Sequence, residues 1–359
     1  MINLKKRLIF VFFIILLILI SSCKGKKDVQ KSLEEIRTGT EGIVMSFLPN
    51  APPDKIHVEG DQNTFEVVLE VRNKGAYPQP NDITSEGIFG RVFLSGYDKD
   101  IITLKSKGTE LFIRRDTLEG KSTINPNGGL DILTYEATVD TNKLNVEKYE
   151  PILLTTACYN YETVAGPSVC IDPNPYSTIK GKKVCEVQPV TLSNQGAPIA
   201  ITRIDEEALA LRTQFKITIK NVGGGDVLRK DKRNVCIGEG ITREDTDKVM
   251  VDWVKISDKS LICGPFIEGQ TKAEQGLTRL VNGEGFLICD LPKEQYKLSD
   301  TAFTTPLTIK LSYVYRNTAE KKIMIKKETS GVIGGEYAGG SSQIPTYYDP
   351  NSGFDIGGP

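Results

Sequence analysis

The sequence predicts an all-β protein that contains two similar β-sandwich units. Short runs of β-branched and aromatic residues recur along the chain between clusters of Gly, Pro, Asn and Asp, and no long helical pattern interrupts them. Two stretches of sequence also recur at a separation of about 150 residues. A chain of 359 residues is long enough for two domains, each with its own core. These observations predict two tandem sandwiches.

The N-terminal segment has the pattern of an export signal. A basic stretch, residues 5–7, precedes an unbroken apolar run, residues 8–20. This run is short for a membrane span, which needs about 20 residues, but it suits the core of a signal peptide. The run ends in four residues that resemble the lipobox of prokaryotic lipoproteins, namely Ile20, Ser21, Ser22 and Cys23. The resemblance implies that residues 1–22 are removed and that the Cys23 thiol is acylated.

Two other interpretations of this segment stay open. It is either a plain secretion signal with a chance cysteine, or an uncleaved anchor that retains residues 8–20. In the lipoprotein interpretation, residues 23–42 form the lipidated N-terminus and a spacer, and the protein is held on the outer face of a membrane.

The first repeated stretch is an alternating strand that ends in Asn-x-Gly. It reads FEVVLEVRNKG at 65–75 and FKITIKNVG at 215–223. When Asn73 is aligned with Asn221, three apolar positions of one strand fall on three of the other, namely Val67, Leu69 and Val71 on Phe215, Ile217 and Ile219. Alternation predicts that these six side chains face a core, and Asn and Gly favour a tight turn.

The second repeated stretch predicts a late hairpin in each unit. It reads CYNYETVAGPSVCI at 158–171 and SYVYRNTAEKKIMI at 312–325, so that Tyr159 and Tyr161 fall on Tyr313 and Tyr315. The alternation predicts that the tyrosines face inward and Cys158 outward. If the first hairpin turns at 162–167, Cys158 lies opposite Cys170, which is within disulfide reach.

The cysteine count predicts disulfides if the chain is exported. Apart from Cys23, six cysteines remain, namely Cys158, Cys170, Cys185, Cys236, Cys263 and Cys289. An even number on an exported chain predicts disulfides. The expected pairs are Cys158 with Cys170 and, on weaker grounds, Cys263 with Cys289; the pairing of Cys185 and Cys236 stays open.

The repeats and changes in composition set the expected boundaries. We expect one sandwich over 43–171, a linker over 172–184 and a second sandwich over 185–330. Residues 331–359 are rich in Gly and Tyr and are expected to be a disordered tail. Seven to nine short strands per unit favour an immunoglobulin-like sandwich. The strands that run into NKG and NVG resemble the CARDB and fibronectin-III-like modules of prokaryotic surface proteins.

The sequence offers no catalytic constellation. The only histidine, His57, is expected on the surface, so a two-histidine zinc site is excluded and no cysteine pair has zinc-finger spacing. The glycines at 223–225 predict a strand-end turn, not a phosphate loop. Asp98 and Asp100, and three tail residues (Asp349, Asn351 and Asp355), are weak calcium candidates better explained as turns. Trp253 is expected in the core.

We therefore expect a non-catalytic envelope protein without a cofactor or metal, whose partners are the membrane and an envelope protein or glycan. A formal net charge of −1 gives no field to attract nucleic acid. One alternative is a hydrolase that uses carboxylates in an inter-domain cleft. Converging acids of perturbed pKa in a concave site would favour the hydrolase, and flat faces would favour binding. The other alternative is an accessory subunit of a transporter or pilus-like assembly.

Overall fold

The computed structural model describes residues 37–79, 87–105, 110–113, 117–177, 183–235, 237–238, 240–296 and 301–328. Cys23, Cys236, the apolar run 8–20 and the tail 331–359 lie outside these residues, so the predictions made for them stay predictions. Within the described ranges, no helix is long and apolar enough to cross a bilayer.

The described chain is almost entirely β-structure, so the predicted all-β sandwich class is confirmed. The first unit contains β1 (Ile43–Phe47), β2 (Lys55–Val58), β3 (Gln62–Asn73), β4 (Gly90–Ser95), β5 (Ile102–Leu104), β6 (Glu110–Ile113), β7 (Leu130–Asp140), β8 (Lys148–Tyr149), β9 (Ile152–Ala165) and β10 (Ser168–Ile171). The second contains β11 (Val190–Thr191), β12 (Ile199–Ala208), β13 (Arg212–Asn221), β14 (Asp226–Leu228), β15 (Lys248–Ile256), β16 (Lys259–Ser260), β17 (Ile262–Gly264), β18 (Gly276–Arg279), β19 (Glu284–Pro292), β20 (Phe303–Lys322) and β21 (Met324–Lys327). Three short 3-10 helices cover Lys230–Asn234, Arg243–Asp245 and Lys293–Gln295.

The strands form two outer sheets, one long shared sheet and one small sheet. Outer sheet 1 has the order β1-β3-β7-β5, and outer sheet 2 has the order β11-β12-β13-β19-β17. The central sheet runs β16-β15-β20-β9-β4-β6, with β10 and β14 attached to β20 and β18 attached to β15. The two units therefore share one continuous sheet, which the prediction of tandem sandwiches did not include.

The repeat explains the shared sheet as an internal two-fold arrangement. Strands β9 and β20 pair antiparallel, with Tyr159 opposite Tyr315 and Tyr161 opposite Tyr313. The repeat aligns Tyr159 with Tyr313 and Tyr161 with Tyr315. In the sheet, by contrast, Tyr159 lies opposite Tyr315, which is the counterpart of Tyr161 in the repeat. A two-fold axis between the two units produces this crossed pairing. All four rings lie on the core side and are buried, as predicted.

The units also exchange their last strands. Strand β10 of the first unit pairs with the start of β20, where Cys170 lies opposite Thr304. In the same way β21 of the second unit pairs with β8 and runs parallel to β2, where His57 lies opposite Lys326. Each unit thus completes the sheet of the other.

The Asn-x-Gly ends of β3 and β13 are fixed by the tyrosines of the late strands. The Tyr161 hydroxyl donates to Asn73 Oδ1 at 3.2 Å, and the Tyr315 hydroxyl donates to Asn221 Oδ1 at 3.0 Å. A Cβ atom on Gly75 or Gly223 would collide with these same hydroxyls, so the glycine is sterically required. The six alternating apolar residues of the repeat are buried as predicted.

The predicted late hairpins are wrong, and so is the Cys158–Cys170 disulfide. Strand β9 continues through 162–165 because β20 pairs with it there, and β10 pairs with β20 instead of folding back. Cys170 is bonded to Cys185, with a Cα–Cα distance of 5.8 Å. This bond closes the predicted linker 172–184. Cys158 faces outward, as predicted, and is also disulfide-bonded.

The predicted core position of Trp253 is wrong because of a β-bulge. The pairing of β15 with β20 shifts between Val251 and Trp253, so that Asp252 is the extra residue. A bulge reverses the alternation beyond it. Val254 and Ile256 therefore turn inward, while Trp253 is half-buried and the Lys255 ammonium lies 5.2 Å from its ring centre.

Candidate functional site

A polar groove lies on the outer face of the central sheet, where β9 meets β20. We call it the junction groove and define it by the side chains of Asn160, Glu162, Lys230, Asp231, Arg233 and Ser312. Its cavity volume is about 360 Å³. The first unit supplies the first two residues and the second unit supplies the others, so the groove exists only because the units share a sheet.

The floor of the groove consists of the outward positions of the two central strands. Glu162 lies opposite Ser312, and Asn160 lies opposite Val314. These positions alternate along each strand with the inward tyrosines. The two strands therefore carry tyrosines on the core face of the sheet and polar groups on its outer face. A continuous sheet holds this floor rigidly.

The wall of the groove is the connection between β14 and β15, which carries the 3-10 helix Lys230–Asn234. Leu228 and Ile241 of this connection pack against Cys158 and Val314 of the floor. Asp245 fastens the connection further, because its carboxylate accepts bonds from the Thr242 backbone N–H and hydroxyl, both at 2.9 Å, and pairs with Lys232 at 3.2 Å. These bonds lower the pKa of Asp245 to about 2, so the fastening persists at neutral pH.

Two carboxylates converge on Ser312. Glu162 pairs with the Lys310 ammonium at 2.8 Å and is only 11 % exposed. Burial raises the pKa of the Glu162 carboxyl; the Lys310 ammonium opposes the shift, and the negative charge of Asp252 adds to it. The two acids therefore lie close enough to influence one another.

Because of the bulge in β15, Asp252 lies beside the groove and contacts two of its side chains, Ser312 and Lys230. Its Oδ1 accepts a hydrogen bond from the Ser312 hydroxyl at 3.0 Å and lies 3.7 Å from the Lys230 ammonium. Its Oδ2 is buried and has no hydrogen-bond partner within the described structure. A buried carboxylate oxygen without a donor is costly. The other oxygen, Oδ1, is the acceptor that faces the Lys230 ammonium of the groove.

The rim of the groove carries an aromatic ring. Phe89 is 42 % exposed, and the Arg233 guanidinium lies 5.7 Å from its ring centre. The Phe89 backbone N–H donates to Asn160 Oδ1 at 2.6 Å, which ties the rim to the floor. The groove thus combines an acceptor, ammonium and guanidinium groups and an apolar face, a combination that suits polyhydroxylated ligands because a hydroxyl both donates and accepts.

The structure does not bring the cysteines predicted from the sequence together as one site. Cys263 and Cys289 form the expected disulfide across β17 and β19. Cys158 lies beneath the wall of the junction groove, whereas Cys170 and Cys185 lie at the linker. Cys23 and Cys236 are outside the described residues.

The remaining candidates take the positions expected of ordinary surface residues. His57 is exposed, and its Nδ1 lies 2.6 Å from Glu328 Oε1. Neither residue lines the junction groove. The glycines at 223–225 form the turn between β13 and β14. Asp98 Oδ1 accepts the Asp100 backbone N–H, which is a turn contact. Within the described ranges, no cluster of three or more His, Cys, Asp and Glu residues could hold a metal ion.

Sequence analysis did not identify the groove. Glu162 and Lys230 carry no motif, and Asp252 joins them only through a bulge and a strand pairing between the two units. The available signal was weak: polar residues alternate with tyrosines at 159–162.

Two comparisons with known proteins bear on the family of this chain. No protein-family model matches it, and no curated protein matches it either. The function is therefore proposed from the groove and from the predicted export signal.

Proposed function

We propose that this protein is a non-catalytic, lipid-anchored protein of the cell envelope that binds a polyhydroxylated ligand, such as an envelope glycan, in the junction groove. The observation that carries the proposal is the 3.7 Å distance between the Lys230 ammonium of the groove and Asp252 Oδ1 beside it, which is too long for a direct hydrogen bond. One hydroxyl group satisfies both, since it donates to the carboxylate and accepts from the ammonium.

The contacts of the two acids favour binding over catalysis. The Lys310 ammonium already pairs with Glu162, and the Ser312 hydroxyl already donates to Asp252. A general acid must release its proton to a substrate, whereas the Glu162 carboxyl is directed at the Lys310 ammonium. The groove therefore presents fixed hydrogen-bonding groups.

Photocrosslinking in intact cells tests the groove. A photoreactive amino acid in place of Asp231 should yield an adduct with envelope material, whereas the same group in place of Glu66, exposed on outer sheet 1, should not. Adding Asp252→Asn or Lys230→Ala to the Asp231 probe should reduce the adduct at least tenfold. Equal adducts from both positions, or none from the groove, would contradict the proposal.

The hydrolase stays as a second candidate because Glu162 and Asp252 converge in a concave site, and the pKa of Glu162 is raised. The purified protein should be incubated with isolated envelope polysaccharide, and new reducing ends should be counted. Release that disappears in both Glu162→Gln and Asp252→Asn would replace binding by hydrolysis. No release by the wild type agrees with binding.

The anchor is tested separately. Mass spectrometry of the native protein should show an acylated Cys23 at the N-terminus, and Cys23→Ser should shift the protein from the membrane to the soluble extracytoplasmic fraction. Retention of residues 8–20 would instead favour an accessory subunit of a transporter or pilus-like assembly. Disulfides in the described chain support export but do not by themselves fix the location.

A further inference from the structure

Two aromatic side chains flank the junction groove on the outer face of the central sheet. Phe89, at the rim, is 42 % exposed, and its carbonyl accepts the Asn160 backbone N–H at 3.1 Å, so the two residues are level in the sheet. Trp253 lies directly across from Lys310 of β20, and Lys310 lies across from Val164 of β9. Because Val164 follows Asn160 by four residues in the same strand, both positions belong to the outer face. Phe89 and Trp253 therefore stand on one face, at opposite ends of the groove.

The separation of these two residues follows from sheet geometry. The strand order places three strand spacings between them, from β4 across β9 and β20 to β15. Along β9, Asn160 is level with Phe89, and Val164, four residues further on, is level with Trp253. With about 4.8 Å between strands and about 3.4 Å per residue, the two positions are about 20 Å apart. This span is several times the width of one sugar ring.

A cation lies beside each aromatic ring. The Arg233 guanidinium is 5.7 Å from the centre of the Phe89 ring, and the Lys255 ammonium is 5.2 Å from the centre of the Trp253 ring. Val164, two strands from Trp253 in the same row, is 46 % exposed and adds apolar surface at that end. An aromatic ring next to a hydrogen-bond donor matches a sugar, which has an apolar C–H face and hydroxyl groups around its edge.

The floor between the two rings offers side chains to a ligand. Residues 309–312 of β20 pair with β9 on one edge and with β15 on the other, so their backbone groups are already used within the sheet. An extended peptide gains much of its affinity from main-chain hydrogen bonds to a sheet edge. A polysaccharide needs no such edge, because its hydroxyls bond to side-chain donors and acceptors. The floor therefore favours a polysaccharide over a peptide.

We propose that the junction groove and the two rings form one extended site for a linear polysaccharide, in which Phe89 and Trp253 each stack on a sugar and the groove holds the sugars between them. The inference rests on the proposed function and adds to it the length of the ligand. Because the two rings are about 20 Å apart, no single sugar reaches both. Affinity should therefore rise with chain length until the ligand spans both rings.

Fragments of one polysaccharide, sorted by length, test the extended site. Envelope polysaccharide isolated from the producing cells, partially hydrolysed and labelled at its reducing ends, gives fluorescent fragments of two and eight sugars. In fluorescence anisotropy, the eight-sugar fragment should bind the full-length protein at least tenfold more tightly than the two-sugar fragment. Trp253→Ala should remove most of this gain, while binding of the two-sugar fragment, which the groove alone can hold, should stay within twofold of the wild type.

Phe286→Ala is the matched control. Phe286 is also an exposed aromatic residue, 48 % accessible, with the Lys216 ammonium 5.3 Å from its ring centre, but it lies on outer sheet 2. The change should alter the affinity of neither fragment. If it weakens the eight-sugar fragment as much as Trp253→Ala does, the gain with length comes from exposed aromatic residues in general and the proposed site is wrong.

The single tryptophan provides a second measurement, which needs no variant and so remains valid if Trp253→Ala fails to fold. Trp253 is the only tryptophan of the chain. Unlabelled eight-sugar fragments should shift its emission to shorter wavelength, because a stacked sugar displaces water from the ring, whereas two-sugar fragments should not. No binding of any fragment would contradict the proposed function and this inference with it. Equal affinity for both lengths, or binding of the long fragment with unchanged emission, would overturn the extended site and leave the groove as a short one.

Discussion

At the scale of single residues, Glu206 is the clearest source of pH dependence. Its carboxyl lies in β12 beneath strand β10 of the other unit, where Oε2 accepts the Cys170 backbone N–H at 3.2 Å. Its Oε1 is buried and has no hydrogen-bond partner within the described structure. Burial raises the pKa of Glu206 to about 7, so the folded protein holds this proton more tightly than the unfolded chain does.

Glu206 should therefore destabilise the fold as the pH rises. With a pKa raised from 4.5 to about 7, its stabilising contribution is complete below pH 4.5 and is lost as the pH rises through 7. One pKa unit corresponds to about 1.4 kcal/mol, so the loss at pH 8 is on the order of 3 kcal/mol. Glu206→Gln should recover that amount at pH 8 and change little at pH 4.5.

Urea unfolding at both pH values, under non-reducing conditions, measures this difference. Glu207→Gln is the matched control, since Glu207 is the next residue and is exposed. If both variants show the same pH dependence as the wild type, the carboxyl of Glu206 is not the source.

The paired asparagines of the repeat give a second prediction. Asn73 is fully buried; its amide donates to the Tyr77 and Leu118 carbonyls at 2.6 and 3.0 Å, and its Oδ1 accepts two more bonds. Asn221 is partly exposed and donates to the Gly225 carbonyl alone. Asn73→Ala should cost about 3 kcal/mol and Asn221→Ala about 1 kcal/mol, because unsatisfied buried groups are expensive. Denaturant unfolding of the two variants checks the order, and equal costs would contradict it.

At the scale of elements, the two disulfides close chain segments of different length. Cys170–Cys185 spans 15 residues and Cys263–Cys289 spans 26. Closing loops of such lengths restricts the unfolded chain by about 3 kcal/mol each. The double variants Cys170→Ala/Cys185→Ala and Cys263→Ala/Cys289→Ala should each lower stability by roughly that amount in urea unfolding. Cysteine mapping by mass spectrometry checks that the other disulfides are intact, and a neutral effect would show that the loop is already ordered without its bond.

The elements also show how far the sequence could predict this fold. Alternation within one strand is local, so the buried faces of β3, β13, β9 and β20 could be predicted from a few residues each. Which strands become neighbours is not local. Nothing in CYNYETVAGPSVCI indicates that β10 leaves β9 for β20, which is why the first disulfide was assigned wrongly. The bulge at Asp252 is a further single-residue event, which reverses the faces beyond it and places a carboxylate beside the groove.

At the scale of the whole molecule, the shared sheet makes the two units one cooperative structure. Strands β9 and β20 pair over 14 residues, and the units exchange β10 and β21. The buried core is likewise continuous across both units. Unfolding one unit alone would expose a long strand edge and half of the tyrosine cluster to water, which is unfavourable. A single unfolding transition is therefore expected, although the sequence consists of two repeats.

The position of the only tryptophan allows this expectation to be tested directly. Trp253 lies in the second unit, so its fluorescence follows that unit, while hydrogen exchange of the β3 amides follows the first. Under a two-state transition both probes give the same free energy of unfolding. A fragment of residues 37–171 should be insoluble or unfolded, because it carries the unpaired edge of β9 and lacks β21. A lower free energy of unfolding from the β3 amides than from Trp253 fluorescence, together with a soluble folded fragment, would show that the halves are independent domains. The junction groove would then open whenever the halves separate.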